Sequence, residues 1–409
     1  MEIKTKMIKI LSILHHHPKF SALGGAERRF IQVTKLLAKK GLKITVIKPS
    51  SSILKENHKN IEIVELKPIQ LIKPKLETIY LDKILWTITT TIHLLQKHRK
   101  KDYHLTLSSN FSIPNLLPAY IFSRIKKIPL CVIAHHLDVT TSNQKCTLTN
   151  TYKQYRNINY NSTTSIIKTI SLLLTITILK KAEQCITMTK TMAKALTING
   201  INPKKIFISS NGVNNLNNKK IEEKNKKYDY IFVGRISKEK GIYDLLTAFT
   251  KILEQNKTKK MVIIGDGPEL ENLRKKIKKL KLEEKILVTG PCSDKQLHNF
   301  LKKSRVFVFP SLYEGWGLAV AEALNSGLPV ICYNIPSLKE VFNDCPSVFF
   351  VPIKNIKKLI EKMEEIPLRP DYHYLTVKAK EYAKKFTWEK VAYLDFKAIQ
   401  NCLKQSWLK

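Results

Sequence analysis

The sequence predicts an α/β protein made of two doubly wound parallel sheets. Its 409 residues exceed what one ordinary core organises. Short apolar runs recur along the chain, and several are separated by stretches with apolar residues at helical spacing. Short buried strands that alternate with helices form parallel sheets covered on both faces.

In the first half the candidate strands are 8–14, 42–48, 61–66, 104–109, 130–134 and 184–189. Residues 136–165 are polar, rich in Asn and Thr, and read as a long loop. The run ISLLLTITIL (170–179), flanked by Lys168, Lys180 and Lys181, suits a buried helix or strand better than a segment lying on a membrane. No stretch approaches the ~18 apolar residues of a membrane span. The Asn-rich stretch 201–220 carries Pro and Gly and marks a domain boundary. In the second half the strands are 230–233, 261–264, 286–288, 306–309, 330–333 and 348–351. Helical spacing follows Gly241, in Ile242, Leu245, Leu246, Phe249 and Ile252, and follows Pro268, in Leu270, Leu273 and Ile277. The end of the chain repeats that spacing from Trp388 to Leu403, a helix that must dock on something. The expected division is therefore 1–205 and 206–385, two Rossmann-like domains facing a cleft, with a terminal helix at 386–409.

Composition narrows the partners. Seventy-one basic residues against 33 acidic ones give a formal charge of +38, a field that favours anionic partners. Nucleic acid, an acidic membrane surface and a phosphorylated small molecule all qualify, but no zinc-finger spacing or RNA-binding signature supports the first. Seven cysteines are scattered with no C-x-x-C pair, and no secretory signal opens the chain. A reduced, cytoplasmic protein without structural zinc or disulfides is expected.

Ligands of open parallel sheets bind beyond the carboxyl ends of the strands, so the residues just after each strand carry the chemistry. After 230–233, Gly234 permits a tight exit, and Arg235 and Lys240 flank a loop before a helix. Two cations beside a helix N-terminus form an anion trap. After 261–264, Gly265 and Gly267 allow close backbone approach to a flat ligand. A dinucleotide fingerprint would need a third glycine where Leu270 sits. After 306–309 comes PSLYEGWGLAVAEAL. Glu314 lies in the loop, Gly315, Trp316, Gly317 and Leu318 lie at the helix start, and Glu322 lies more than one turn inside. Two carboxylates bracketing a phosphate site can accept hydrogen bonds from hydroxyls on either side of a diphosphate. In the first half, His135 and His136 follow a strand, and only one of two adjacent residues can face the cleft. Gly24 and Gly25 make room for a substrate at a helix start. The triple histidine 15–17 has no carboxylate or cysteine at ligand spacing, so no metal is expected there. No D-x-D pair occurs, so charge neutralisation by Arg and Lys is expected in place of a metal.

Taken together, GGAER (24–28), CVIAH (131–135), SNGV (210–213), FVGRISKEKGIYDLLTAF (232–249), IIGDGPELENL (263–273), VTGPCSDKQLHNFL (288–301), FPSLYEGWGLAVAEALNSGLPVI (309–331) and FTWEKVA (386–392) resemble the retaining family 4 glycosyltransferases of the GT-B fold. The likeness is dense between 232 and 331 and thin across 50–128 and 136–183. It implies a first domain on the acceptor side, a second that binds the nucleotide sugar, and a terminal helix crossing back to the first. It implies that Glu314 contacts the donor sugar, Glu322 the ribose, Arg235 and Lys240 the diphosphate, and that His135 lies near the reacting carbon. Trp316 stands where the family usually has Phe. The expected activity is sugar transfer, with configuration retained, from a nucleotide-diphosphate donor to a carbohydrate or lipid-linked acceptor. No cofactor or metal beyond that co-substrate is expected, and peripheral attachment to an anionic membrane is. A sugar-nucleotide epimerase or phosphorylase on the same fold and a non-catalytic nucleic-acid binder remain as alternatives.

Overall fold

Apolar β-branched runs that emerge from polar turns set the frame. The computed structural model describes residues 8–15, 24–50, 58–67, 79–137, 144–158, 160–214 and 226–407. The chain divides into two units, Met1–Asn211 with Trp388–Lys409, and Gly212–Thr387.

The first unit runs β1 (Lys9–Ile13), α1 (Gly25–Lys39), β2 (Lys43–Pro49), β3 (Ile61–Leu66), α2 (Ile79–His93), β4 (Leu105–Ser108), α3 (Ile113–Lys126), β5 (Leu130–Ile133), α4 (Leu148–Asn157), α5 (Ser162–Lys181), β6 (Gln184–Thr187), α6 (Lys190–Ile198) and β7 (Ile206–Ile208). The strands form one parallel sheet ordered β3-β2-β1-β4-β5-β6-β7. Its core includes Leu11, Ile13, Phe122, Leu130, Val132, Leu172 and Leu179. The terminal helix, Trp388–Trp407, packs on α1 and on the β5–β6 region of this unit. A buried ion pair fastens it: Arg29 of α1 donates to both carboxylate oxygens of Asp395, at 2.8 and 2.7 Å. Ser209 Oγ adds a bond to Asp395 at 2.6 Å, and Arg29 Nε donates to the Ser210 carbonyl at 3.1 Å. Satisfying the remaining donors is what makes such a desolvated pair tolerable.

The second unit runs β8 (Tyr228–Val233), α7 (Ile242–Gln255), β9 (Met261–Ile264), α8 (Leu270–Lys279), β10 (Ile286–Gly290), α9 (Asp294–Lys302), β11 (Ser304–Phe309), α10 (Leu318–Asn325), β12 (Val330–Tyr333), α11 (Pro336–Phe342), β13 (Val348–Val351), α12 (Ile356–Glu365) and α13 (Tyr372–Ala383). Its parallel sheet is ordered β10-β9-β8-β11-β12-β13.

Three expectations need correction. The segment 136–165 is not one long loop: α4 and the start of α5 occupy it. Its polar residues are caps and outer faces, with Thr147 Oγ1 accepting from the Asn150 amide and Asn161 Oδ1 from the Thr164 amide. The run 170–179 belongs to a helix of 20 residues, which by length and composition alone could cross a membrane. A helix is one of the two forms expected for this run; what changes is its length, and its hydroxyls are absorbed by carbonyls one turn back, as in Thr169 to Ser165 and Thr177 to Leu173. Lastly, β7 pairs with β6, so the first sheet continues past the boundary expected after residue 205, and the units divide at Asn211/Gly212.

Candidate active site

In the second unit the loops that leave β8, β9 and β11 lock together through backbone. The Ile236 amide donates to the Asp266 carbonyl at 2.9 Å, and the Glu269 amide to the Ile236 carbonyl at 3.0 Å. Gly265 has φ +142, and a Cβ there would lie 1.9 Å from the Gly234 carbonyl oxygen. At Gly267 a Cβ would lie 2.3 Å from the Ile236 carbonyl oxygen. The neighbour that demands glycine at both positions is thus the 234–236 backbone, a protein segment where a flat ligand was expected. Gly241, absent from the sequence-derived set, works the same way: φ is +66 and a Cβ would sit 1.9 Å from the Pro310 carbonyl oxygen. The Leu312 amide then donates to the Glu239 carbonyl at 2.9 Å.

This locking fixes two charged side chains. Lys240 ends a 3-10 turn (Lys238–Lys240) and places its Nζ 2.5 Å from Glu314 Oε1. Both are largely buried, at 19% and 14% exposure, where their attraction is less screened than on the surface. Ser337 Oγ holds the Glu314 carbonyl at 2.6 Å. Directly after Glu314 the chain enters α10, whose N-cap is Gly317 with φ +95. The first amides of that helix have no carbonyl partner in the helix and carry its positive end. A cation, a carboxylate and a helix N-terminus therefore adjoin one another. Arg235 is exposed on the same loop as Lys240, and Gly234 donates its amide to Ile264 at 3.0 Å. Leu318 and Glu322 are half-buried on α10.

Trp316 corrects its expected role as a ligand group. Its ring is 4% exposed and packs edge-on against Phe342 and Phe386, with centroids 5.6 and 4.8 Å apart. Only its backbone is available at the helix start. Ser237 was missed by sequence reasoning. Its Oγ is buried between Arg235 and Lys240 in sequence and has no hydrogen-bond partner among the described residues. A serine among charged loop residues carries no signal that would single it out.

In the first unit Gly24 is the N-cap of α1 and Gly25 its first residue, and both are exposed. His16 and His17 lie outside the described residues. His135 follows β5 and is buried, with Nε2 3.3 Å from the Ser109 carbonyl oxygen. A carbonyl can only accept, so Nε2 carries the proton. Burial, reinforced by the Arg29 guanidinium and by His136, pushes the pKa of His135 down to about 3, leaving a neutral imidazole. His136 is half-exposed and meets Phe111 edge-on. Arg29 and Asp395, which sequence reasoning also missed, are structural partners of α1 and the terminal helix. Among the described residues no three His, Cys, Asp or Glu side chains converge as a metal site.

Fold and site define a class first: two parallel-sheet α/β units, the GT-B architecture, with the Lys240–Glu314 pair at a strand end in the second. Solved structures share that fold. The Anabaena protein HepE in complex with UDP-glucose superposes with TM-score 0.69 at 16% identity, covering 96% of this chain and 98% of that one. Sucrose-phosphate synthase from Thermosynechococcus elongatus gives 0.73 at 16% identity, covering 97% and 100%. Sequence profiles go further. "Glycosyltransferase Family 4" matches residues 23–215 and "Glycosyl transferases group 1" matches residues 214–386. The two matches meet end to end, and the chain belongs to the group 1, family 4 glycosyltransferases.

Two curated relatives illustrate the family's range. The Campylobacter jejuni N-acetylgalactosamine-N,N'-diacetylbacillosaminyl-diphospho-undecaprenol 4-alpha-N-acetylgalactosaminyltransferase is 31% identical over 47% of this chain and 53% of its own length. The Streptococcus pneumoniae alpha-monoglucosyldiacylglycerol synthase is 33% identical over 27% of this chain and 25% of its own. The chain thus spans about half or less of the length of the curated relatives it matches.

Proposed function

We propose that this protein transfers a sugar from a nucleotide-diphosphate donor to a lipid-linked or glycan acceptor, with retention at the anomeric carbon. The observation that carries the reading is the contact of Lys240 with Glu314 beside the N-terminus of α10. In the donor complex the diphosphate takes Lys240, Arg235 and the α10 amides, and Glu314 turns to hydroxyls of the donor sugar. Glu322, more than one turn along α10, accepts from the ribose. As the bond from the anomeric carbon to the β-phosphate oxygen breaks, the acceptor oxygen bonds that carbon on the same face. The departing phosphate takes the acceptor's proton. Charge building on the phosphate is met by fixed cations and amides, so no metal is required. His135, neutral and donating from Nε2, orients and does not transfer a proton. UDP is the first base to try, because HepE is described with UDP-glucose, and a lipid-linked acceptor is suggested by the names of the two curated relatives.

Calorimetric titration of UDP and a panel of UDP-sugars tests this directly. Wild-type protein is expected to bind at least one. Lys240→Ala should weaken UDP and UDP-sugar alike by roughly 10- to 100-fold, the worth of a charge-assisted contact. Glu314→Gln should keep UDP affinity and lose the extra affinity contributed by the sugar. No binding to any nucleotide sugar in a panel extended to other bases, or equal affinities in all three proteins, would remove the basis of the assignment.

A further inference from the structure

The first unit carries two helices that are apolar on the side away from the sheet. On α2, Leu81, Ile84, Ile88 and Ile92 are exposed by 40–56%, at spacings of three and four residues that stack them on one face. Trp86 and Thr90 on the opposite face are buried. On α5, Ile166, Ile170 and Leu174 are exposed by 49–52% at spacing four, opposite Leu172, Ile176 and Leu179, which fill the core. One helix, α3, packs against both α2 and α5 and joins them into a single helical layer. Isolated surface leucines need no explanation, but two aligned stripes on one layer do.

Charge identifies what covers them. Each of the three helices is followed by a strand start, at Leu105, Leu130 and Gln184, so their C-terminal ends share one edge of the sheet. At that edge Arg99, Lys100, Lys127, Lys180 and Lys181 are exposed. Acids are scarce on the stripes: α5 has none and α2 has only Asp82, in its first turn. An uncharged aliphatic face bordered by cations matches the boundary between acyl chains and anionic headgroups. A second copy of this chain fits poorly, because it would bring the same basic rim and the same +38 charge. Insertion of α5 across a bilayer fits no better, since Leu172, Ile176, Ile178 and Leu179 belong to the core of the unit.

We propose that the α2–α5 face of the first unit is a docking surface for an anionic lipid bilayer, on which the protein lies peripherally. The inference rests on these helices alone and not on the transfer reaction. The test is co-sedimentation of the full chain with vesicles of pure phosphatidylcholine, and of phosphatidylcholine with about one third phosphatidylglycerol. Binding is expected only to the anionic vesicles. The triple change Ile84→Gln, Ile88→Gln and Ile170→Gln is expected to cut that binding at least tenfold, and Lys100→Gln with Lys180→Gln and Lys181→Gln to cut it and flatten its salt dependence. Circular dichroism and UDP affinity, which the second unit provides, should be unchanged in both, so a failure here is separable from a failure of the proposed function. Absence of binding to anionic vesicles would overturn the proposal. So would anionic binding that survives the triple isoleucine change, which would mean charge alone, and so would a wild-type dimer in sedimentation equilibrium that the same change dissociates.

Discussion

The two sheets share a winding but not a chemistry. One is ordered β3-β2-β1-β4-β5-β6-β7 and the other β10-β9-β8-β11-β12-β13, so each starts in the middle, runs to one edge and returns to complete the other. At the strand ends of the second unit, loops are pressed together so closely that Gly241 and Gly265 admit no Cβ, and an ion pair sits where they meet. At the ends of β4, β5 and β6 in the first unit the groups are neutral. His135 is uncharged, and Ser109 Oγ and Thr187 Oγ1 are buried with no hydrogen-bond partner among the described residues. The buried charges of that unit serve its own assembly: Arg29 and Asp395 join α1 to the terminal helix beside Ser209, just past β7, and Lys48 near the end of β2 pairs with Glu65 of β3. The same winding thus holds a fixed ion pair where loops cross in one unit, and at helix and strand seams in the other.

That contrast can be broken most forcefully at Asp395. Replacing it with Ala leaves the Arg29 guanidinium buried without its carboxylate, and the expected loss is about 3–5 kcal/mol. Urea unfolding measures it, and a loss under about 1 kcal/mol would show that Arg29 finds water or another partner. The glycines sharpen the comparison next. Gly265→Ala forces a Cβ into the Gly234 carbonyl at positive φ, and about 2–3 kcal/mol of strain with weakened UDP binding is expected. Gly24→Ala in the first unit meets only the carboxylate end of Glu27 at 2.5 Å, a side chain free to turn, and is expected to cost under about 1 kcal/mol. Equal costs at the two sites would mean that loop packing in the second unit is looser than the coordinates imply.

Most of the scaffold was legible because burial on both faces of a sheet writes itself as short apolar runs. All twelve strands expected from such runs are present, with ends shifted by a residue or two. β7, with its pattern of half-exposed residues, lacked that contrast, and it moved the boundary. α2 was invisible for a different reason. Its ITTTI segment favours strands by local preference, yet Thr87, Thr89 and Thr91 each bond a carbonyl four residues back and the helix is kept by packing. At the site, Lys240 and Glu314 could be picked out because each lies just after a strand and next to glycine. Gly241 could have been found from its place between a lysine and a helix start. Ser237, Ser337 and Arg29 could not, since their importance comes from neighbours distant in sequence. The inward turn of Trp316 could not be read either, because the rings it packs against, Phe342 and Phe386, lie far along the chain.

Acid is the most selective test of the neutral groups in the first unit. His135 is held down to about 3, and His98 to about 4, by burial first and then by nearby cations. His98 Nδ1 also lies 2.8 Å from the Tyr103 hydroxyl. For both, the ordinary value is 6.5, which the unfolded chain recovers. Between pH 6.5 and the depressed values the unfolded chain takes up protons that the folded unit refuses. Stability is therefore complete above 6.5 and falls as the solution is acidified, by about 2 kcal/mol per histidine at pH 5. Urea midpoints at pH 7.5 and pH 5 in wild-type, His135→Gln and His98→Gln proteins separate the contributions. Each substitution should remove its share of the acid sensitivity even where it lowers stability at pH 7.5. If the drop between the two pH values is the same in all three proteins, the imidazoles are not held neutral, and the contrast between the ion pair at the loop crossing of the second unit and the neutral end of β5 fails.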